Sequence, residues 1–290
     1  MKMFCLAGAI ALTLAVPAVA APDWGPVDAA LGRAGTTQAD GVRRYAFPRS
    51  DLNVQLDGVR IKPALALGSW LAFQPMGDQA MVMGDLVLTH DEVNGVLSRL
   101  LAGGLTITAL HNHLLRSAPA TMYMHVGGHG DPAKLAATLR SALEASRTPL
   151  SPPAKPANER LDLDTAALDL IMGGKGKANG GVYQFSFARA EKLTDSDMPA
   201  PAAMGTATAI NFQPTGGGKA AVTGDFVLTA NEVDPVLRAL RGHGIEVTAL
   251  HNHMLSDQPR LFFMHFWAND DAARLARGLK AALDQTNIRH

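Results

Sequence analysis

The chain has 290 residues, 47% of them hydrophobic, which is enough material for two ordinary domain cores. Its 26 basic and 26 acidic residues cancel, and no local run of Lys and Arg marks a groove for phosphates, so nucleic acid is set aside as a partner. The single cysteine, Cys5, leaves no disulfide and no thiolate metal site.

Reading from the N-terminus, Lys2 precedes an apolar run from Leu6 to Val16 and a small-x-small site, Ala18-Val19-Ala20. This predicts a signal peptide over 1–21 and a periplasmic or secreted product without a stable membrane anchor. The run is short for a permanent span and breaks at Pro17.

The rest of the chain is a tandem duplication. Gly84 to Leu115 aligns with Gly224 to Leu255 at a constant offset of 140, with 18 identities over 32 positions. Tyr123-Met124-His125 lies over Phe263-Met264-His265, and Phe73-Gln74-Pro75 over Phe212-Gln213-Pro214 after a one-residue gap. A period of 140 is a domain rather than a solenoid unit. The expected organisation is a first repeat domain over 22–147, a Pro-rich linker over 148–162 and a second repeat domain over 163–290.

Within a copy, Val42 to Phe47 and Trp70 to Phe73 read as strands, with a hairpin turn at Leu56-Asp57-Gly58-Val59. Val93, Val96, Leu97 and Leu100 recur at helical spacing, and Thr89-x-x-Glu92 and Thr229-x-x-Glu232 are capping boxes for that helix and its copy. Leu105 to Leu110 alternates as a strand, Thr121 to Val126 reads as a second, and Leu135, Leu139 and Leu143 mark a closing helix. The fold class is therefore α+β: two homologous domains, each a mostly antiparallel sheet with helices on one face.

Six of the ten histidines form matched pairs: His111 with His251, His113 with His253, and His125 with His265. His-x-His on a strand places both rings on one face, here the face continued by Leu105, Ile107 and Ala109. Pairing His111 with Tyr123 and Ala109 with His125 brings the third ring onto the same face. Three converging imidazoles suit a divalent metal with an open fourth position, zinc ahead of copper, as one site per domain. The alternative stays open that the histidines only hydrogen-bond loops at the core's end. Asn112 and Asn252 point to the other face and read as fixing backbone, and His90, His129, His243 and His290 have no matched partner.

Other matched residues are weighed in the same way. Glu92 and Glu232 are explained by the capping boxes before any role as bases. Asp85 and Asp225, each after a glycine, offer a carboxylate ligand or a partner that orients a ligating histidine, with a turn role favoured over both. Met124 and Met264, with Met81, Met83 and Met254, hint at soft copper ligation but read first as core. Gly173-Gly174-Lys175-Gly176 is an incomplete phosphate loop. Phe262, Phe263, Phe266 and Trp267 are mainly packing residues and stand where copy one has Met122, Tyr123, Val126 and Gly127, so copy two should pack more firmly and Gly127-Gly128 should loosen copy one.

The strings GDFVLTANEV, VTALHNHML and LFFMHFWA resemble the LppY/LpqO family of exported bacterial proteins, a family of unknown function. The resemblance runs over both halves, about Asp28 to Thr286. It implies an exported, duplicated protein and carries no catalytic residue. No acylation cysteine follows the apolar run, which departs from the lipoprotein namesakes.

The residues thus point to an exported protein that binds a divalent metal or a small ligand through His111, His113, His125, His251, His253 and His265, with a metal-dependent hydrolase within that reading. A non-enzymatic periplasmic ligand- or partner-binding module with structural histidines is the alternative. A nucleophilic hydrolase is disfavoured, since no G-x-S-x-G elbow occurs.

Overall fold

The computed structural model describes residues 23–38, 40–151 and 160–289. The expected signal peptide and the middle of the expected linker lie outside the described residues. Among those described, no helix is long and apolar enough to cross a membrane.

The first domain is a six-stranded antiparallel sheet of β1 (Thr36–Thr37), β2 (Arg43–Pro48), β3 (Gly68–Met76), β4 (Gln79–Thr89), β5 (Thr106–His111) and β6 (Thr121–Gly130). The second repeats it with β7 (Lys177–Asn179), β8 (Val182–Ala188), β9 (Ala207–Gly216), β10 (Lys219–Leu228), β11 (Glu246–His251) and β12 (Phe262–Asp271). The spatial orders, β1-β2-β3-β4-β6-β5 and β7-β8-β9-β10-β12-β11, are the same.

Helices α1 (Gly25–Leu31), α2 (Val93–Ala102) and α3 (Pro132–Leu143) cover one face of the first sheet, and α4 (Thr165–Met172), α5 (Ala230–Gly242) and α6 (Ala272–Leu283) cover one face of the second. Their apolar stripes, Val96 and Leu100 on α2 and Leu139 and Leu143 on α3, pack on Leu86, Met124 and Val126. The capping box forms in full at Thr229 and Glu232. At the first copy only half of it forms: Glu92 accepts from the Thr89 amide, while the Thr89 hydroxyl turns to Asp91.

The helix-free faces of the two sheets meet each other. Val87 and Tyr123 of the first sheet share one apolar cluster with Val182, Ala221 and Trp267 of the second. Ala72, Met81 and Met83 share another with Val227 and Phe263. Each domain also extends an arm over its neighbour. The arm between β2 and β3 packs Leu56, Ile61 and Leu65 into the first cluster, and Gln213 of the second domain accepts from the Lys62 amide. The arm between β8 and β9 packs Ala200 and Met204 into the other, where the Ala203 carbonyl accepts from Arg44. Residues 80–88 of β4 are buried without a break because helices cover one face and the second domain the other.

The register of the β5–β6 pair matches the sequence reading, with Ala109 opposite His125 and His111 opposite Tyr123. The face does not. The ladder shifts between Ile107 and Ala109, so Thr108 is an extra residue that turns the strand over. Ile107 packs with Val126 on the helix side, whereas Ala109 and His111 look toward the second domain. An identical shift between Val247 and Ala249 does the same in β11. The histidines therefore lie on the face opposite to the one that simple alternation assigns.

Candidate metal centre

Because both histidine-bearing faces point at the domain boundary, the two expected sites adjoin in one cluster; His251, His253 and His265 remain a donor group by themselves, whereas His113 and His125 group with Asp85. His111 and His251 stack with ring centroids 3.5 Å apart, His113 and His265 at 3.6 Å, and His125 and His253 at 3.7 Å. Every pair joins one domain to the other. Tyr123 extends the stack behind His113 at 3.5 Å, and Phe263 extends it behind His253 at 3.4 Å. His113 lies beyond the last residue of β5, in the bend that follows, yet its ring stays 4.8 Å from that of His111.

Two carboxylates complete the cluster, and the sequence reading placed them wrongly. Asp85 and Asp225 are not turn residues: each sits inside the long strand β4 or β10, directly opposite His125 or His265. The glycine before each has a steric reason. A side chain at Gly224 would overlap the Ala209 carbonyl of the neighbouring strand, so the backbones approach there as no other residue permits. The available signal was an Asp in the middle of an apolar strand, repeated in both copies.

The hydrogen bonds set the imidazole tautomers. Nδ1 of His265 is 2.8 Å from the Gly224 carbonyl, Nδ1 of His111 is 3.3 Å from that of Asn112, and Nδ1 of His251 is 3.2 Å from that of Asn252. A carbonyl only accepts, so Nδ1 carries the proton and Nε2 the lone pair in these rings. In all six histidines Nε2 is buried without a hydrogen-bond partner, as is one oxygen each of Asp85 and Asp225. Burial of so many polar atoms without partners is costly unless something else satisfies them.

Distances support that reading. Nε2 of His253 and His265 lie 3.6 and 3.8 Å from Asp225, and Nε2 of His125 lies 3.9 Å from Asp85. These gaps are too long for hydrogen bonds. They are close to the spacing of about 3.3–3.5 Å that two ligands adopt around a tetrahedral zinc. Four groups of three donors have atoms within 4.8 Å of one another: Asp85, His113 and His125; His251, His253 and His265; His111, His125 and His253; and His111, His113 and His251. Only the first two of these groups share no donor, so the cluster has room for one ion or two.

Electrostatics prepare the donors. Burial lowers His111 to about 4 and His251 to about 3, the latter helped by the neighbouring His111, and it holds the other four well below the usual histidine range. All six are neutral at pH 7, the form that binds metal. Burial also raises Asp85 to about 8, and burial, followed by the charge of Asp85, holds Asp225 well above the usual carboxylate range. The close Asp–His approaches are accordingly not ion pairs in the metal-free protein. A divalent cation reverses this and draws the proton from each carboxyl it touches.

A family model described as Domain of Unknown Function (DUF1259) matches residues 25–145 and again residues 166–285. The chain belongs to that family. Each DUF1259 repeat supplies three histidines and one aspartate, and neither supplies the cluster alone. No curated protein matches this DUF1259 chain. Among solved structures it is similar to a trimeric bacterial microcompartment shell protein, PduB, at 12% identity and a TM-score of 0.23 over 87% of this chain and 89% of that one, too slight a likeness to carry an argument.

Two further matched residues of the DUF1259 chain escaped the sequence reading. Arg49 and Arg189, also 140 apart, are fully buried. Arg49 donates to the Val87 carbonyl and to Glu92 and Asp51, and Arg189 to the Val227 carbonyl and to Glu232 and Glu191. Val87 and Val227 follow Asp85 and Asp225 by two residues, so each arginine braces the strand that carries an aspartate. Glu92 and Glu232 are held below the usual carboxylate range: burial opposes this, and the hydrogen bonds from these arginines outweigh it with others from the backbone. They stand in structural clamps and not in the cluster. Asn252 donates to the Met254 carbonyl, the backbone-fixing role expected of it, whereas Asn112 is exposed.

Proposed function

We propose that this protein binds a divalent transition metal, zinc ahead of copper, in a single centre between its two domains. His111, His113, His125, His251, His253 and His265 provide the nitrogen donors, with Asp85 and Asp225 as carboxylates. The observation that carries this is the set of six buried, unpartnered Nε2 atoms together with two unpartnered carboxylate oxygens. Imidazole and carboxylate donors without thiolate suit zinc, nickel or copper better than calcium or magnesium. Bound there, the ion would supply Lewis acidity and a water acidified toward neutrality, the requirements of a hydrolase. The apolar segment at Leu6 to Val16 and the resemblance to LppY/LpqO proteins support the further reading that this chemistry takes place outside the cytoplasm.

Metal analysis of the purified full chain after dialysis against zinc tests the proposal. One or two equivalents per chain, removed by chelator and restored by zinc, are expected. Absence of stoichiometric metal, with thermal stability unmoved by zinc or chelator, would sink it.

A second reading has its own observation. The three cross-domain ring stacks at 3.5–3.7 Å are also an adhesive contact between domains. Under that reading the histidines join the domains and bind nothing. Exchange of His251 for Phe, which keeps the stack and removes the donor, then leaves stability unchanged in zinc as well as in chelator.

A further inference from the structure

The histidine cluster follows the internal two-fold relationship of the repeats, but its flanks do not. On one flank Trp267 fills the space between the sheets, packed with Leu56, Leu114 and Ala221. Its indole Nε1 donates to Asp57 at 3.0 Å, and Arg116 bridges Asp57 and Glu246 at 2.9 and 2.7 Å. An indole and a three-membered ion-pair network thus plug that side.

On the other flank each member of the plug is replaced by a small residue. Trp267 lies opposite Glu246 and Thr223 in its sheet, and Gly127 lies opposite Thr106 and Met83 in the other. Gly127 therefore stands for Trp267 and Thr106 for Glu246. Ser256 stands for Arg116 at the same offset of 140, and Ser196 takes the hairpin position of Asp57. Gly127, Thr106, Ser256 and Ser196 all line a cavity of about 360 Å³, within the range of small-molecule pockets. A Cβ at Gly127 would meet only ordinary contacts, so the space beside it is open. Thr106 and Ser256 are exposed, so the cavity reaches the surface there.

The lining states what the cavity suits. Five methionines, Met81, Met83, Met198, Met204 and Met254, contribute to it along with Trp70. Among the described residues that line it there is no lysine or arginine, and Asp195 is the sole carboxylate. At the inner end stand His125 and His253, members of the cluster. Methionine side chains adapt to irregular apolar shapes, and an anion would find no lysine or arginine here, only the imidazoles of His125, His129 and His253.

We infer that this cavity is a binding site for an uncharged, largely apolar small organic molecule, one polar atom of which reaches the histidine cluster at His125 and His253. The site goes beyond metal binding and does not depend on which ion the cluster holds.

The test is a fluorescence titration of the full chain with the neutral dye N-phenyl-1-naphthylamine, run with zinc and with chelator, followed by displacement with 1-naphthylmethanol or 1-naphthoate. Saturable binding at one site is expected, with the alcohol displacing dye at concentrations at least tenfold lower than the carboxylate. Gly127→Trp, which rebuilds the indole, should weaken dye binding at least tenfold while zinc stoichiometry stays that of the unmodified chain. The surface pair Thr106→Glu with Ser256→Arg, which rebuilds the ion pair at the rim, should do the same and serves if Gly127→Trp fails to fold. Dye binding unchanged in a folded variant, no dye binding by the unmodified chain, or preference for the carboxylate would each overturn the inference. Loss of zinc binding with dye binding intact would count against the metal centre alone.

Discussion

The imidazoles of His111 and His251 lie 3.5 Å apart, although 140 positions separate them in the chain. Each Nδ1 faces the carbonyl of the residue that follows, and each Nε2 is buried without a partner. A histidine of one repeat thus meets its own copy at the centre of the molecule, which makes the cluster a joint product of both domains.

Replacing His251, which belongs to two of the four donor groups, should therefore weaken the centre. For His251→Gln, zinc affinity is expected to fall by more than about 100-fold, since removal of an outer-shell partner alone costs about 10–100-fold. Calorimetric titration, with circular dichroism to confirm the fold, checks this. Undiminished affinity would show that His251 is not a ligand.

The metal-free protein should be most stable near pH 6.5. Six histidines are held below their ordinary value of 6.5, so the unfolded chain takes up protons there and the folded one does not: His111 is lowered to about 4, His251 to about 3, and the other four well below the ordinary value. Their contribution is complete above 6.5 and is lost as the pH falls. Asp85 behaves oppositely: raised from 3.8 to about 8, it costs stability progressively as pH rises through that window, and Asp225 shares its direction. Between these values six histidines outweigh two carboxyls, and above 6.5 only the carboxyls still change. Melting temperatures from pH 4 to 9 in chelator would show the maximum; a steady rise from 6.5 to 8 would contradict it.

Asp85→Asn should separate the two roles of that carboxyl. The amide keeps the shape and cannot ionise, so the decline in metal-free stability between pH 6.5 and 8 should flatten. Zinc affinity should fall at the same time, by about tenfold or more if Asp85 binds the ion directly. A variant that binds zinc as before would remove Asp85 from the donor set.

Arg49→Met should act on stability and leave the donors in place. The guanidinium is fully buried against Glu92, Asp51 and the Val87 carbonyl, and its loss strands Glu92 with a buried charge. A cost of about 3–5 kcal/mol is expected by chemical denaturation. Zinc stoichiometry in the folded fraction should be unaltered.

Much of this was legible in the residues. The offset of 140 exposed the duplication, and the ladder positions of Ala109 and His111 followed from the hairpin. The turn at Asp57-Gly58 formed where it was read, with both residues at positive φ. Three things were hidden. The extra residue at Thr108 reverses the face, and nothing in the alternation of Leu105 to Leu110 reports a bulge. The meeting of the two triads depends on how one sheet docks on another, a tertiary relation that has no period to read. Asp85 looked like a turn residue because aspartate after glycine commonly is one, and only its place inside β4 opposite His125 shows otherwise. Gly127 borders a cavity lined by residues of both domains, while Gly128 beside it is tightly packed against Leu105.

The arrangement of the donors also bears on descent. A chain with one DUF1259 repeat would hold three histidines and one aspartate on an uncovered sheet face, half of what surrounds the centre here. It could complete the set only by pairing with a second copy of itself, and both flanks of such a pair would then be alike. Fusion of two repeats into one polypeptide frees the halves to diverge, so that one flank can close with Trp267 while the other opens at Gly127. The tandem chain thus holds in one polypeptide what two single repeats could form only as a symmetric pair, with flanks that are free to differ.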